Sequence, residues 1–263
     1  MTSADGPEQR HGDSLARSRG QAVSEVHPRL QAVELTKQYE DGVLALDHVS
    51  FSVFPGQVYA MLGANGAGKT TTINLFLNFI DPTSGEARVG GIVSHKKPLE
   101  AKACLAYVSE NVMLYPNLTA LQNLDFFARL GGRSGCTRAD LESVLRRVGL
   151  QADAHDKRLK SFSKGMRQKC GLAIAIIKNA PAIILDEPTA GLDPQAVREF
   201  LGLLDQLRSE DKAILMSTHD LFRAREIADI VGMMRRGRLV LQRSRADLEQ
   251  ENLEELYLRY MAD

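Results

Sequence analysis

The chain has 263 residues, 44% of them hydrophobic, and its 33 basic and 33 acidic side chains give a formal net charge of zero. This length fits one large domain or two small ones, and the hydrophobic content is enough for a substantial core. The neutral balance and the absence of Trp argue against nucleic acid or an acidic membrane surface as the main partner. Such binders usually carry a basic excess or stacking aromatic side chains.

The N-terminal residues predict neither a membrane anchor nor a leader. The chain has no apolar run close to the roughly 18 residues that span a bilayer, and residues 1–20 lack the apolar core of a signal peptide. Frequent Gly, Ser and charged residues predict a disordered tail at 1–28, followed by one structured domain at 29–263. The spacing of the cysteines offers no metal motif, so we expect reduced, structural thiols.

From residue 30 onward, apolar periodicity and turn residues predict regular elements. The first are strands at 30–39, 46–53 and 58–62 and a helix over 71–80. The segment from about 112 to 165 then changes character, because two amphipathic helices, "LTALQNLDFFARL" and "RADLESVLRRVGL", follow each other without a strand between them. The first of these begins with a capping box formed by Thr119 and Gln122. We expect a helical insert between sheet elements.

After this insert, strands and helices alternate again. Asp193 and Pro194 predict the N-cap and the first turn of one of the helices. The predicted elements are a strand at 182–187, a helix at 193–207, a strand at 212–218, a helix at 220–230 and a hairpin at 230–240. This alternation predicts an α/β fold with a mainly parallel sheet.

The stretch "GANGAGKT", residues 63–70, fits the phosphate-binding pattern G-x-x-x-x-G-K-[ST]. Its glycines let backbone N–H groups close around phosphate oxygens, and the dipole of the following helix points at them. Lys69 is expected to reach the β- and γ-phosphates, and Thr70 to hold Mg²⁺. A plain glycine turn is the alternative, but the position between a strand and a helix favours the phosphate site.

Two carboxylates follow the buried strand of "AIILDEP", where ligands bind in open α/β sheets. Asp186 is predicted to hold Mg²⁺, and Glu187 to polarise a water for attack on the γ-phosphate. The alternative is a solvent-exposed acidic pair without a catalytic role. His219 and Glu110 follow two further strands. His219 is therefore a candidate contact of the γ-phosphate, with a structural role as the alternative. Glu110 is a candidate contact of the water shell of the metal, with a role as a surface charge as the alternative.

A second anion site is predicted about a hundred residues after the first. In "SFSKGMRQKCGLAIAI", Ser163 and Gly165 precede an apolar helical pattern, which is typical of a buried helix with an exposed N-terminus. A helix N-terminus collects unpaired N–H groups and partial positive charge.

The order of GANGAGKT, SENV, SFSKGMRQ, ILDEPTAGLDP and STHD resembles the nucleotide-binding subunits of ATP-binding-cassette (ABC) transporters, over nearly the whole chain from about residue 30. The resemblance implies a P-loop NTPase core with a mainly parallel sheet, an N-terminal antiparallel β subdomain and a helical insert. "FSKGMRQK", "SENVMLYPNLT" and "LEELYLRYM" are similar to the single-domain bacterial ATPases that serve separate export permeases, which include drug, antibiotic, sodium and copper-maturation systems.

The resemblance also implies roles for individual residues. The catalytic residues would be Glu187, His219 and Lys69, and the metal ligands Thr70, Asp186 and Glu110. The nucleotide would be bound by Tyr39, which would stack on adenine, and by Gly63, Ala64, Asn65, Gly66, Ala67, Gly68, Lys69, Thr70 and Thr71. The signature residues, which would cap the ATP of a partner subunit, are Ser163, Lys164, Gly165 and Met166, and the D-loop ends at Asp193.

The sequence departs from the family pattern at two motifs. Glu110 stands where the family usually has glutamine, which keeps an oxygen ligand but adds charge. Lys164 and Met166 replace a glycine and a glutamine in the signature. Lys164 is either an extra phosphate contact or a solvated charge.

The function implied is that of an ATP-hydrolysing export subunit at the cytoplasmic face of the membrane. ATP and Mg²⁺ are the expected cofactors. The expected partners are a second copy of the chain and a separate integral membrane permease, docked near Glu110 and residues 111–130, with no nucleic acid. One alternative is a soluble ABC ATPase that acts on DNA or ribosomes, but the chain lacks the long coiled-coil insertion or the second cassette expected of such proteins. The other alternative is a different P-loop enzyme such as a kinase, which the signature stretch and Glu187 disfavour.

Overall fold

The computed structural model of the protein describes residues 1–2 and 26–261, so most of the predicted tail lies outside the described residues. The first strands form an antiparallel sheet, as expected. In this sheet the order is β2-β1-β4-β5, and Ala32 of β1 pairs with Phe51 of β2. Its strands are β1 (Leu30–Gln38), β2 (Leu44–Val53), β4 (Ser84–Val89) and β5 (Ile92–Val93).

A second, six-stranded sheet has the order β10-β9-β3-β8-β7-β6. The strands β9, β3, β8, β7 and β6 run parallel, and only the edge strand β10 is antiparallel to its neighbour. The carboxyl ends of β3, β6, β7 and β8 therefore meet at one edge. The strands are β3 (Val58–Leu62), β6 (Leu105–Val108), β7 (Ala182–Asp186), β8 (Ala213–Thr218), β9 (Ile230–Arg235) and β10 (Arg238–Ser244). This confirms the predicted mainly parallel core.

Helices cover the parallel sheet, and three of them, α3 to α5, lie between β6 and β7 in the chain. The helices are α1 (Lys69–Phe76), α2 (Pro98–Ala103), α3 (Ala120–Leu130), α4 (Arg138–Arg147), α5 (Lys164–Lys178), α6 (Pro194–Ser209), α7 (Leu221–Ile227), α8 (Arg245–Gln250) and α9 (Leu253–Met261). Two short 3-10 turns, Ala152–Ala154 and Leu159–Ser161, connect α4 to α5. Within the part of the chain that the structure describes, no helix combines the length and the apolar character needed to cross a bilayer.

The predicted helix caps are confirmed. The Thr119 side chain accepts a hydrogen bond from the Gln122 backbone, and the Gln122 side chain accepts one from Thr119 N, which completes the capping box of α3. Asp193 caps α6 by accepting hydrogen bonds from the backbone N–H groups of Gln195 and Ala196. These caps fix where α3 and α6 begin.

Some predicted boundaries are wrong. The helix expected over 71–80 begins at Lys69 and ends at Phe76, because Asn78 adopts a left-handed backbone with φ of 49°. The helix expected to reach residue 150 ends at Arg147, just before Gly149 with φ of 71°. The strands β4 and β5 and the helix α2 were not predicted, because they are short and have weak periodicity.

The parallel sheet separates two apolar cores. On β7, Ile183 and Leu185 face the core shared with α3 to α6, whereas Ala182 and Ile184 face the core shared with α1 and the antiparallel sheet. Burial on both faces holds the strand rigidly, so the residues that follow it at the sheet edge have a fixed position.

Candidate nucleotide site

The loop between β3 and α1 forms a tight cradle in which Gly63 and Gly68 cannot be replaced without collision. The backbone N–H of Gly63 donates to Thr218 O at 3.2 Å, which attaches the loop to β8. A Cβ on Gly63 would lie 2.6 Å from Met234 O. Gly68, the N-cap of α1, has φ of 109°, and a Cβ there would lie 2.8 Å from Ala45 O. The loop therefore presents backbone N–H groups at the start of α1, as a phosphate site requires.

Lys69 lies in the centre of this loop, with only 6% of its side chain exposed. Its Nζ donates to Gly63 O at 2.6 Å and to Ala64 O at 3.3 Å. The same atom is 3.4 Å from Glu187 Oε1, which neutralises the buried ammonium group. The cation of the loop and the carboxylate that follows β7 thus belong to one site.

The two acidic residues at the carboxyl end of β7 are held by Ser217 on the neighbouring strand β8. The Ser217 hydroxyl donates to Asp186 Oδ1 at 2.6 Å, and the Glu187 N–H donates to both Ser217 O at 3.2 Å and Ser217 Oγ at 3.0 Å. Burial raises the pKa of Asp186, the Ser217 hydrogen bond opposes part of that rise, and the charge of Glu187 adds to it. Ser217 was not among the predicted site residues, although its place at a strand end in "STHD" was a usable signal.

Glu187 has the geometry of an active-site carboxylate. Its backbone adopts φ of 46°, a strained conformation for a residue with a side chain, and such positions cluster at functional sites. His219 Nδ1 lies 2.9 Å from Glu187 Oε2. The other oxygen, Oε1, is buried and has no hydrogen-bond partner among the described residues, since its contact with Lys69 is an ion pair without hydrogen-bond geometry. A buried acceptor of this kind suits a bound water.

Lys69, Asp186 and Glu187 line a cleft of about 440 Å³, within the range typical of small-molecule sites, whereas His219 and Ser217 contact Glu187 and Asp186 but do not line it. The predicted residues that line it are Ala64, Asn65, Gly66, Gly68, Lys69, Thr70, Thr71, Glu110, Asp186 and Glu187. No sequence motif predicted the rest of its wall, which consists of Val43, Leu44, Ala45, Arg236 and Gly237. The antiparallel sheet and the β9–β10 hairpin supply this wall.

Tyr39 does not line this cleft in the structure. Its ring is 38% exposed, with Lys37 Nζ 5.3 Å from the ring centroid. The Tyr39 backbone N–H donates to Val43 O, so the residue begins the turn whose far end lines the cleft. The apolar surface that faces the cleft comes from Val43 and Leu44, and the stacking role of Tyr39 stays a prediction.

Comparison with known proteins identifies the family. The family described as ABC transporter matches residues 46–190. The chain belongs to the ABC transporter family. This match includes the P-loop, Glu110, the signature stretch and Glu187.

Two relatives in sequence and one solved structure are similar to most of this chain. The bacitracin transport ATP-binding protein BcrA of Enterococcus faecalis is 34% identical over 231 residues, which cover 88% of this chain and 71% of BcrA. The ABC transporter ATP-binding protein NatA of Bacillus subtilis is 34% identical over 223 residues, 84% of this chain and 90% of NatA. Among solved structures, cbiO1 of Clostridium perfringens, described as part of the transporter complex cbiONQ, superimposes with a TM-score of 0.76 at 27% identity, covering 89% of this chain and 96% of cbiO1. The chain is an ATP-binding and ATP-hydrolysing ABC subunit.

The ABC signature lies apart from the P-loop of its own chain. Ser163 caps α5 by accepting a hydrogen bond from Met166 N at 3.2 Å, and a Cβ on Gly165 would lie 3.5 Å from Ala196 Cβ at the start of α6. Neither Ser163, Gly165 nor Met166 lines the cleft of about 440 Å³. Asp193, at the end of the D-loop, uses its carboxylate to cap α6.

Both departures from the ABC pattern meet in space. Lys164 Nζ lies 3.4 Å from Glu110 Oε1, although 54 residues separate them in the chain. The structure thus gives Lys164 an acidic partner within its own chain.

The oxygen ligands in the cleft fit the kind of metal that accompanies a nucleotide. Thr70, Glu110 and Asp186 all line it and offer hydroxyl and carboxylate oxygens. Within the described residues, no group of three or more His, Cys, Asp and Glu side chains is arranged to hold a metal ion on its own. Mg²⁺ at nucleotide sites uses one or two carboxylates together with phosphates and water, so it does not need such a group.

Proposed function

We propose that this ABC subunit drives export of a substrate through a separate membrane permease, at the cytoplasmic face of the membrane, by pairing with a second copy when ATP is bound. The observation that carries the proposal is the separation of two half-sites in one chain. The P-loop cleft holds the hydrolytic carboxylate Glu187, whereas the capped N-terminus of α5 has its N–H groups elsewhere. Each half-site would be completed by the other copy.

Within the cleft, hydrolysis depends on positioning and charge. Lys69 offsets the charge of the phosphates, and Glu187 orients the attacking water through its buried oxygen Oε1. His219, whose Nδ1 lies 2.9 Å from the other oxygen of Glu187, holds the carboxylate in place and would contact the γ-phosphate. Thr70, Asp186 and Glu110 would hold Mg²⁺, which supplies further charge neutralisation when bound with ATP.

The chain offers the permease a docking surface, which is an apolar groove of about 310 Å³ between the parallel sheet and the helices α3 and α5. It is lined by Phe79 and Tyr107 on one side and by Phe127 and Leu130 on the other. Phe79 is 63% exposed and Leu130 72% exposed, which is unusual for such apolar side chains in a groove. An apolar segment of the permease suits this surface, and the predicted docking region of residues 111–130 overlaps it.

Purification of the chain from native membranes tests this function. We expect an integral membrane protein to co-purify with the unaltered chain and to be lost with Leu130→Lys. Leu258→Lys is the matched control, because Leu258 is 69% exposed on α9, outside the groove. Recovery of ribosomal or DNA-bound partners, with no membrane protein, would contradict the transport function and support the soluble ATPase instead.

A further inference from the structure

One residue, Glu110, lines the nucleotide cleft and also contacts the signature helix α5. Its carboxylate lines the cleft beside Asp186 and Glu187, and its Oε1 lies 3.4 Å from Lys164 Nζ in the first turn of α5. Glu110 also contributes to the raised pKa of Asp186, which places its charge within electrostatic reach of that carboxylate. The cleft therefore contains a third carboxylate, and among the described residues the cation within ion-pair distance of it belongs to the signature.

The backbone around Glu110 is fixed to the same face of α5. Gln168, one helical turn after Lys164, is 1% exposed, and its Nε2 donates to Glu110 O at 2.7 Å and to Ser109 O at 3.2 Å. Further along that face, a Cβ on Gly171 would lie 2.9 Å from Val108 Cγ1, so the helix is in close contact with the end of β6. The Glu110 backbone thus cannot move away from α5 without breaking these buried hydrogen bonds.

The charges of the pair matter for a nucleotide. ATP without a metal carries several negative charges, and an uncompensated carboxylate in the cleft disfavours its binding. The Lys164 ammonium group offsets the negative charge of Glu110 at the edge of the cleft. The two departures from the ABC pattern then compensate each other, because a carboxylate replaces a neutral amide in one motif and a cation replaces a glycine in the other.

We infer that Lys164 is a positioning residue, which holds the Glu110 carboxylate against α5 and offsets its charge toward the nucleotide bound in the same chain. The inference rests on the proposal that this cleft takes ATP and Mg²⁺. It assigns Lys164 a role within its own subunit, in addition to its place in the signature that faces a partner.

A double-mutant cycle tests this role. The affinity for a fluorescent ATP analogue is measured in EDTA and in Mg²⁺, at protein concentrations low enough to keep the chain monomeric. The pair is partly exposed, so Lys164→Gln should weaken binding in EDTA by at most about fivefold. The loss should shrink with Mg²⁺ and at high salt, and Lys164→Arg should restore the affinity. In a Glu110→Gln background, Lys164→Gln should have no further effect.

Lys160→Gln is the matched control, because Lys160 is an exposed cation that lines the pocket on the far side of the pair together with Lys164. It should leave the affinity unchanged. If Lys164→Gln weakened binding equally with and without the Glu110 carboxylate, or did not weaken it in EDTA, Lys164 would not act through Glu110 and the inference would be wrong. If the unaltered chain bound no nucleotide in either buffer, the proposed function itself would fail.

Discussion

The substitution Ser217→Ala removes the hydroxyl that bonds both the Asp186 carboxylate and the Glu187 backbone. Ser217 Oγ donates to Asp186 Oδ1 at 2.6 Å and accepts from Glu187 N at 3.0 Å, but that N–H keeps a second acceptor, Ser217 O at 3.2 Å. Only the bond to the charged Asp186 is lost outright. Hydrogen bonds to charged groups contribute about 1.5–3 kcal/mol to the free energy of unfolding. Because water can reach the half-buried Asp186, we expect Ser217→Ala to lower the free energy of unfolding by about 1.5 kcal/mol, near the lower end of that range.

The loss of stability in Ser217→Ala should depend on pH. Burial raises the pKa of Asp186 above its ordinary value, and the Ser217 hydroxyl counteracts that rise. The folded state therefore holds its proton on Asp186 more tightly than the unfolded chain does. The stabilisation that this provides is complete below the unfolded pKa, about 3.9, and is lost as pH rises through the folded value. Removing the hydroxyl raises the folded pKa further, so the destabilisation should be larger at pH 7.5 than at pH 4.5.

Urea unfolding at the two pH values measures this effect. Ser209→Ala is the control, because the Ser209 hydroxyl is exposed on α6 and bonds only a backbone carbonyl in the same helix, Asp205 O at 3.0 Å. It should change the free energy of unfolding by less than about 0.5 kcal/mol at both pH values. Equal losses at pH 7.5 and pH 4.5 for Ser217→Ala, or no loss at all, would refute the argument that Ser217 stabilises an ionised, buried Asp186.

Two further substitutions address the phosphate cradle and the hydrolytic step. Gly68→Ala should reduce ATP affinity at least tenfold in a titration, because its Cβ would lie 2.8 Å from Ala45 O. Gly66 shares the strain of a positive φ, 81° against 109° for Gly68, but a Cβ there would meet nothing described within 4 Å, so Gly66→Ala should reduce the affinity less, and equal effects would contradict the close packing around Gly68. Glu187→Gln should abolish turnover in a phosphate-release assay yet preserve ATP binding and give a dimer that persists with ATP, and Glu249→Gln on the exposed face of α8 should behave like the unaltered chain. A Glu187→Gln variant with wild-type turnover would remove Glu187 from the hydrolytic role.

The parts of the site that form short motifs at strand ends were predicted from the sequence. The P-loop, Glu187 and His219 each follow a strand and Asp186 ends one, and the parallel sheet brings these strand ends together. The strained backbone of Glu187 has no counterpart in local sequence pattern, since it depends on the bonds that β8 provides.

The rest of the site depends on contacts between distant segments. Val43, Leu44 and Arg236 reach the cleft because two separate antiparallel elements pack beside the P-loop, and nothing in their own sequence marks them. The pairing of Lys164 with Glu110 required the packing of α5 against the segment after β6, although both residues were recognisable as departures from the ABC pattern. Boundaries such as the end of α1 failed because a single left-handed residue, Asn78, stops the helix.

The central claim is that the P-loop cleft of one copy is completed by the signature of another. Its most direct test mixes two variants, both carrying Glu187→Gln so that ATP is retained. Lys69→Ala disables the cleft of one variant, and Ser163→Arg blocks the signature of the other. The mixed pair contains one intact composite site, formed by Lys69 of the second variant and Ser163 of the first.

Light scattering with and without ATP measures the outcome. We expect each variant alone to stay monomeric with ATP, the Ser163→Arg chain to bind ATP normally, and the mixture to form dimers. A mixture that stays monomeric while the Glu187→Gln parent pairs, or a Ser163→Arg chain that no longer binds ATP by itself, would show that Ser163 does not complete the site of a second copy.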